Sequence, residues 1–384
     1  MIKLSRRTVL AATAALAATR ARAEDAPIKI GFVGPLSGSL SLLGNSVRDG
    51  LSIYVTAINE KGGVAGRKLE LIAEDDGYDP ARTVAAGKKL KEQDGVVAIV
   101  APAGTAGTAA LLPFVQDSKT PLLFPYAFSH ALTNPTKRYA FTTLPEVRVQ
   151  MNVMGDYLLN TLKQTKIAAI YQNDDFRQDA VTGLDATMTA HKLDLLKLPF
   201  DRGTTNFSGV VTQAKAGGAE VVVFLGIPRD AALVMREANK LGWKPQFAGH
   251  NALSDPQTFE LAGNLAEGAL AVAVMEPLDS DKPAVKEFLA TQARIMPKAA
   301  PTTYSMHGYN AGLLFAEAVR RANGDTSADA LVTALQGISN FDTGLMGPIT
   351  FTADQHAGSL SCAMIKGENK KWHLITGWMQ ASST

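Results

Sequence analysis

The residues best placed for chemistry form one short loop, Pro102-Ala103-Gly104-Thr105-Ala106-Gly107-Thr108. The apolar run Val96–Ala101 leads into it and a helical pattern follows. Small residues let a ligand approach the backbone closely. Thr105 occupies the expected N-cap, at the positive end of a helix whose first amides are unpaired. That end suits an anion such as a carboxylate without any basic side chain. A plain Thr-capped helix fits the same residues, and the loop alone does not separate the two. A second loop, Pro125-Tyr126-Ala127-Phe128-Ser129, follows the short apolar run Pro121–Phe124. In a parallel sheet the two loops share the edge at which ligands bind. Tyr126 and Phe128 serve there either as ligand walls or as packing.

Catalytic signatures are missing. Neither nucleotide-binding glycine pattern occurs, nor the G-x-S-x-G of a hydrolase serine. His130, His191, His250, His307, His356 and His373 are scattered without metal-ligand spacing. The acidic run Glu74-Asp75-Asp76-Gly77-Tyr78-Asp79-Pro80 sits between a strand and a helix, so it is read as a cap and a solvated turn. No enzyme activity, metal or cofactor is expected. Cys362 is the single cysteine and lies in the apolar run Leu360–Ile365, so a buried strand thiol is expected.

These loops need elements to hold them. Apolar runs alternate with helical patterns: Ile28–Leu36, then Val47 to Ile58 at helical spacing, Lys68–Glu74, Ala81–Glu92, Val96–Ala101, Thr105–Gln116 and Pro121–Phe124. The alternation restarts after Pro145 with Met151–Leu162, Lys166–Tyr171, Asp175–His191, Asp194–Phe200, Phe207–Ala216, Val221–Leu225, Ala231–Leu241 and Gln246–Ala248. Repeated β-α units imply right-handed crossovers and parallel sheets covered by helices, here in two similar α/β lobes. The tail differs. Helices at Lys282–Arg294, Tyr304–Ala322 and Ala328–Gln336 precede short strands at Ile349–Phe351, Leu360–Ile365 and Trp372–Ile375. Gly367-Glu368-Asn369 is the expected turn of a closing hairpin.

The amino terminus reads as a secretory leader. Lys3, Arg6 and Arg7 precede an apolar run from Val9 to Ala18, and Ala21-Arg22-Ala23 is a small-x-small cleavage site. Ser5-Arg6-Arg7-Thr8-Val9-Leu10 fits a twin-arginine signal as well as a basic n-region, and both routes export the chain. Removing residues 1–23 leaves 361 residues, enough for two domains. It also removes five basic residues and no acid, taking the net charge from +2 to −3. That balance, with no basic block, argues against nucleic-acid binding. A periplasmic, monomeric protein is expected.

An ordered set of motifs carries a family resemblance. It comprises Ile30-Gly31-Phe32-Val33-Gly34-Pro35-Leu36-Ser37-Gly38, Ile58-Asn59-Glu60-Lys61-Gly62-Gly63-Val64-Ala65-Gly66-Arg67, Asp75-Asp76-Gly77-Tyr78-Asp79-Pro80, Gly242-Trp243-Lys244-Pro245-Gln246-Phe247 and Gly347-Pro348-Ile349-Thr350-Phe351. From about Ile28 onward the chain resembles the leucine/isoleucine/valine-binding type of ABC-transporter solute receptor, a type I periplasmic binding protein.

The resemblance implies two Rossmann-like lobes, residues 27–146 with 276–354 and residues 147–275 with 355–384, closing on a solute held in a cleft. It also implies docking of the closed form on an inner-membrane ABC permease. The family's carboxylate-binding Ser/Thr falls on Thr105, beside Ala103 and Gly104. Small and Thr positions fall on Tyr126 and Phe128, flanking Ala127. Aromatic positions fall on Leu43, Phe176 and Ile227. The acids that hold an ammonium fall on Val147 and Asn251, with Glu146 or Arg148 as alternatives near Val147. Tyr304 joins these as a candidate contact.

A buried ammonium without an acid is costly. The implied ligand is therefore a small carboxylate with an aromatic or apolar body, of benzoate, cinnamate or aryl-2-oxo-acid type. Arg148 or Arg229 would meet its carboxylate or oxo group from the second lobe. The alternatives are a receptor for a branched-chain amino acid or amide, with Glu146 as the acid, a sensory subunit, and an exported α/β hydrolase.

Overall fold

The computed structural model describes residues 26–38 and 40–381. The expected leader, residues 1–23, lies outside them. The chain is α/β, and its contacts divide it into two compact units. Of the described residues, one holds those up to Tyr126 with Arg138–Ala140 and Phe288–Gly337, and the other holds Ala127–Lys137, Phe141–Glu287 and those from Ile338 onward.

The first unit is built on a five-stranded sheet, in the order β2-β1-β3-β4-β5. The strands are β1 Ile28–Gly34, β2 Leu69–Asp75, β3 Ala98–Val100, β4 Leu122–Leu123 and β5 Ala140–Phe141. β1 pairs in parallel with β2 and β3, and β3 with β4. Ile28, Ile30, Phe32 and Val33 of β1 are all fully buried, as a strand covered on both faces requires. Helices Ser41–Glu60 and Thr303–Arg321 cross at glycines. A β-carbon on Gly50 would lie 1.8 Å from the Ser305 carbonyl oxygen, and one on Gly308 2.0 Å from that of Val47. Only hydrogen at these two positions allows the backbones to meet.

The second unit holds an eight-stranded sheet, in the order β12-β11-β10-β9-β8-β6-β7, with β13 against β11. Its strands are β6 Ile167–Gln172, β7 Leu196–Phe200, β8 Val221–Leu225, β9 Gln246–Gly249, β10 Leu270–Ala273, β11 Ser361–Glu368, β12 Lys371–Leu374 and β13 Met379–Gln380. β7, β6, β8, β9 and β10 are parallel, while β10, β11 and β12 are antiparallel. All five residues of β8 are buried. Cys362 is a fully buried thiol on β11.

Several expectations need correcting. Gly104, not Thr105, caps the helix Thr105–Asp117, because its φ of 111° suits glycine alone. The helix expected from Met151 begins at Val147 and ends in a π turn, Tyr157–Thr161. Ile349–Phe351 is not a ladder strand among the described residues, where Ile349 makes a single bridge to Phe341. The hairpin turns at Asn369-Lys370, both with positive φ, rather than one residue earlier. β5 and β10 were not anticipated, since Ala-rich segments as short as Leu270–Ala273 carry little strand signal.

Candidate functional site

Strand order reverses direction between β1 and β3 in the first unit, and between β6 and β8 in the second. Such reversals open crevices at the carboxyl ends of strands. The candidate residues cluster there in each unit.

In the first unit, Ala103 follows β3 and donates its N–H to Val33 O at 2.9 Å. Gly104 N–H donates to Tyr126 O at 3.2 Å, and Tyr126 N–H to Pro102 O at 2.9 Å, so the two loops predicted to cooperate are stitched together. Thr105 is half-buried at the first helical position, where the first-turn amides lack intrahelical acceptors. Tyr126 is 8% exposed. Its ring packs edge-on against Tyr304 at 5.2 Å and His307 at 5.3 Å. Leu43 is half-buried near the start of helix Ser41–Glu60.

The backbone at this edge is strained. Ala101 and Phe124, which follow β3 and β4, have φ of 53° and 56°. For a residue as bulky as Phe this is a true outlier, and such strain collects at functional sites. The Phe124 carbonyl is held by His307 Nε2 at 3.0 Å. Burial drives the His307 pKa down to about 4, so its ring is neutral.

In the second unit, Ala127 and Phe128 lie buried before the helix Val147–Asp156, and Val147 N–H donates to Phe128 O at 3.3 Å. Val147 is fully buried. The Phe128 ring lies 6.4 Å from Phe176, which meets His250 edge-on at 5.8 Å. Asn251 N–H donates to Gln150 Oε1 at 3.1 Å. Ile227, 42% exposed, caps the helix Pro228–Lys240. Glu146 accepts from His130 Nδ1 at 2.7 Å and from the Thr133 hydroxyl. Arg148 is half-buried and bound to Asp179, Nε donating at 2.9 Å.

Three residues were missed. Tyr78, 40% exposed, stands over Gly104 with a φ of 65°. It fell within the acidic run, which indeed serves as cap and turn. Asp79 caps the helix from Pro80 and Asp76 accepts from Tyr78 N–H at 2.8 Å. Asp75 accepts from the Ser37 hydroxyl at 2.6 Å, which with backbone donors lowers its pKa to about 2. Arg177 lies with its guanidinium 4.9 Å from the Phe176 ring centre. A cation in a helix's first turn opposes the dipole, and that misfit was its sequence signal. His250 bridges to Gly226 O at 3.3 Å, and burial followed by the Arg177 charge lowers its pKa to about 4. Among the described residues, no group of three or more His, Cys, Asp or Glu could hold a metal ion.

Comparison with known proteins agrees with this architecture. The periplasmic binding protein family matches residues 27–371. Leu/Ile/Val-binding protein homolog 3 of Brucella melitensis biotype 1 is 26% identical over 91% of this chain and 94% of its own. A possible leucine/isoleucine/valine-binding protein from Rhodopirellula baltica SH 1 superposes with a TM-score of 0.82 at 24% identity, over 92% of this chain and 97% of that one. A branched chain amino acid ABC transporter protein from Thermus thermophilus, with bound valine, also gives 0.82, at 19% identity over 93% and 97%. The last two likenesses bear on the fold.

Proposed function

The chain belongs to the periplasmic binding protein family, and on that premise we propose that it is the solute receptor of an ABC importer, taking a small carboxylate with an aromatic body. One observation carries the ligand class. Phe128 and Phe176 meet on the second unit, while the positions read as ammonium-binding acids are the buried Val147 and the half-buried Asn251. That wall favours an aryl group and offers an α-ammonium no carboxylate at either position. The glycine-capped helix start at Thr105 is proposed to take the ligand's carboxylate through backbone amides and the threonine hydroxyl.

Export by the leader 1–23, lobes divided at 146/147, 275/276 and 354/355, capture by hinge closure, delivery to an inner-membrane permease and release of the solute unchanged complete the proposal. A branched-chain amino acid is the second reading, favoured by what the Brucella relative's name says it binds. It needs an acid, and Glu146 is 9% exposed and already engaged by His130 and Thr133.

Calorimetric titration separates the two. Benzoate-, cinnamate- or phenylpyruvate-type acids should bind at least tenfold better than leucine or valine, about 1.4 kcal/mol. Tight leucine binding with no aryl-acid binding overturns the aryl assignment.

A further inference from the structure

Four arginines stand near the carboxyl edge of the second unit's sheet; Arg202, which follows β7, is 77% exposed and lies 4.0 Å from Asp174, and two of the others have acids of their own. Arg148 donates from Nε and from a terminal nitrogen to Asp179. Arg229 is half exposed and leans on Asp230 at 3.3 Å. Arg177 differs. Its backbone N–H and one terminal nitrogen each donate to Asp174 at 2.9 Å. Its side chain is only 15% exposed, yet Nε is buried with no hydrogen-bond partner. An unpaired buried donor is destabilising, and so is a cation in the first turn of the helix Asp175–Ala190. The first penalty ends when an oxygen acceptor arrives, and the second is offset as well if that oxygen is anionic.

The surroundings specify that acceptor. The guanidinium is seated on the Phe176 ring, so it stands beside an aromatic surface rather than bulk water. His250, buried and neutral, brings no competing cation. Among the described side chains, Asp174 and Asp230 stand in the field of Arg177; Asp174 takes one terminal nitrogen and the backbone N–H of Arg177, and also accepts from Gln172 and faces Arg202, which leaves Nε unserved. The planar guanidinium has fixed donor directions, which suit a carbonyl or carboxylate oxygen lying in its plane.

We propose that Arg177 recognises an oxygen function of the ligand beside its aryl group, which makes the solute an aryl acid of the 2-oxo-acid class. This rests on the aryl-carboxylate reading above.

The test pairs phenylpyruvate with 3-phenylpropanoate, which lacks the oxo group, against wild type, Arg177→Lys and Arg177→Met. Thermal unfolding of each variant without ligand controls for folding. Wild type should prefer phenylpyruvate at least tenfold. Arg177→Met should erase that preference, and Arg177→Lys should retain part of it. A merely structural Arg177 would weaken both acids alike and leave the ratio intact, which overturns the inference while the receptor reading stands. Equal binding of the two acids by wild type overturns it as well. If wild type binds leucine and neither aryl acid, the ligand class falls. The leucine affinity of Arg177→Met then decides the residue, an unchanged value removing Arg177 from the site and a tenfold loss keeping it there.

Discussion

Tyr78 lies against Gly104 so closely that a β-carbon on the glycine would sit 3.0 Å from the tyrosine ring. Gly104 also holds a φ of 111°, and Tyr78 one of 65°. Two unusual backbone conformations thus meet where the helix carrying Thr105 begins. Asp76 fixes one of them by accepting the Tyr78 N–H, and Tyr126 O fixes the other by accepting the Gly104 N–H.

Gly104→Ala should therefore lower stability by about 1–3 kcal/mol, the usual cost of a disfavoured φ at a non-glycine residue. Adding Tyr78→Ala should relieve the ring contact but not the backbone strain. Urea unfolding of the single and double variants measures both parts. Full recovery in the double variant would mean that the φ carries no cost.

Thr105→Val should separate binding from folding. The residue is half-buried and no side chain caps this helix start, so stability should change by no more than about 0.5 kcal/mol. Removal of a hydroxyl donor to a charged acceptor should weaken carboxylate binding by about 1.5–3 kcal/mol. Calorimetry with the aryl acid reads the second effect and thermal unfolding the first. Unchanged affinity would take Thr105 out of the site.

Stability should decline on mild acidification. His250 and His307 are buried, with pKa values near 4 against the ordinary 6.5. The unfolded chain therefore binds more protons than the folded one between these values. Their contribution is complete above pH 6.5 and is lost as pH falls toward 4, by up to about 1.4 kcal/mol per pH unit for each histidine. Asp75, lowered to about 2, adds its own loss only below its ordinary value of 3.8. Unfolding free energies from pH 7.5 down to 4.5 should fall, and His307→Gln should reduce the slope by about half. A flat profile would mean that the imidazoles are protonated without penalty.

The order of strands and helices was legible because parallel strands buried on both faces leave apolar runs such as Val221–Leu225, and amphipathic helices leave a different period. Cys362, the cap at Asp79 and the stitching of the Ala103 and Tyr126 loops followed from local chemistry and from the rule that parallel strands share a carboxyl edge. The short strands β5 and β10 stayed hidden, because two to four residues carry no period. The cap at Gly104 was missed because residue type suggested Thr105, while φ is set by how the chain leaves β3. Tyr78 emerged only from tertiary placement, and Arg177 offered the sequence no more than a cation in a helix's first turn. A tyrosine after an acidic turn and an arginine after a phenylalanine have no distinctive spacing. What singles them out is a neighbour distant in sequence for Tyr78, at Gly104, and an unpaired buried Nε for Arg177. Sequence fixes which donors and rings exist, and folding decides which of them are left without partners.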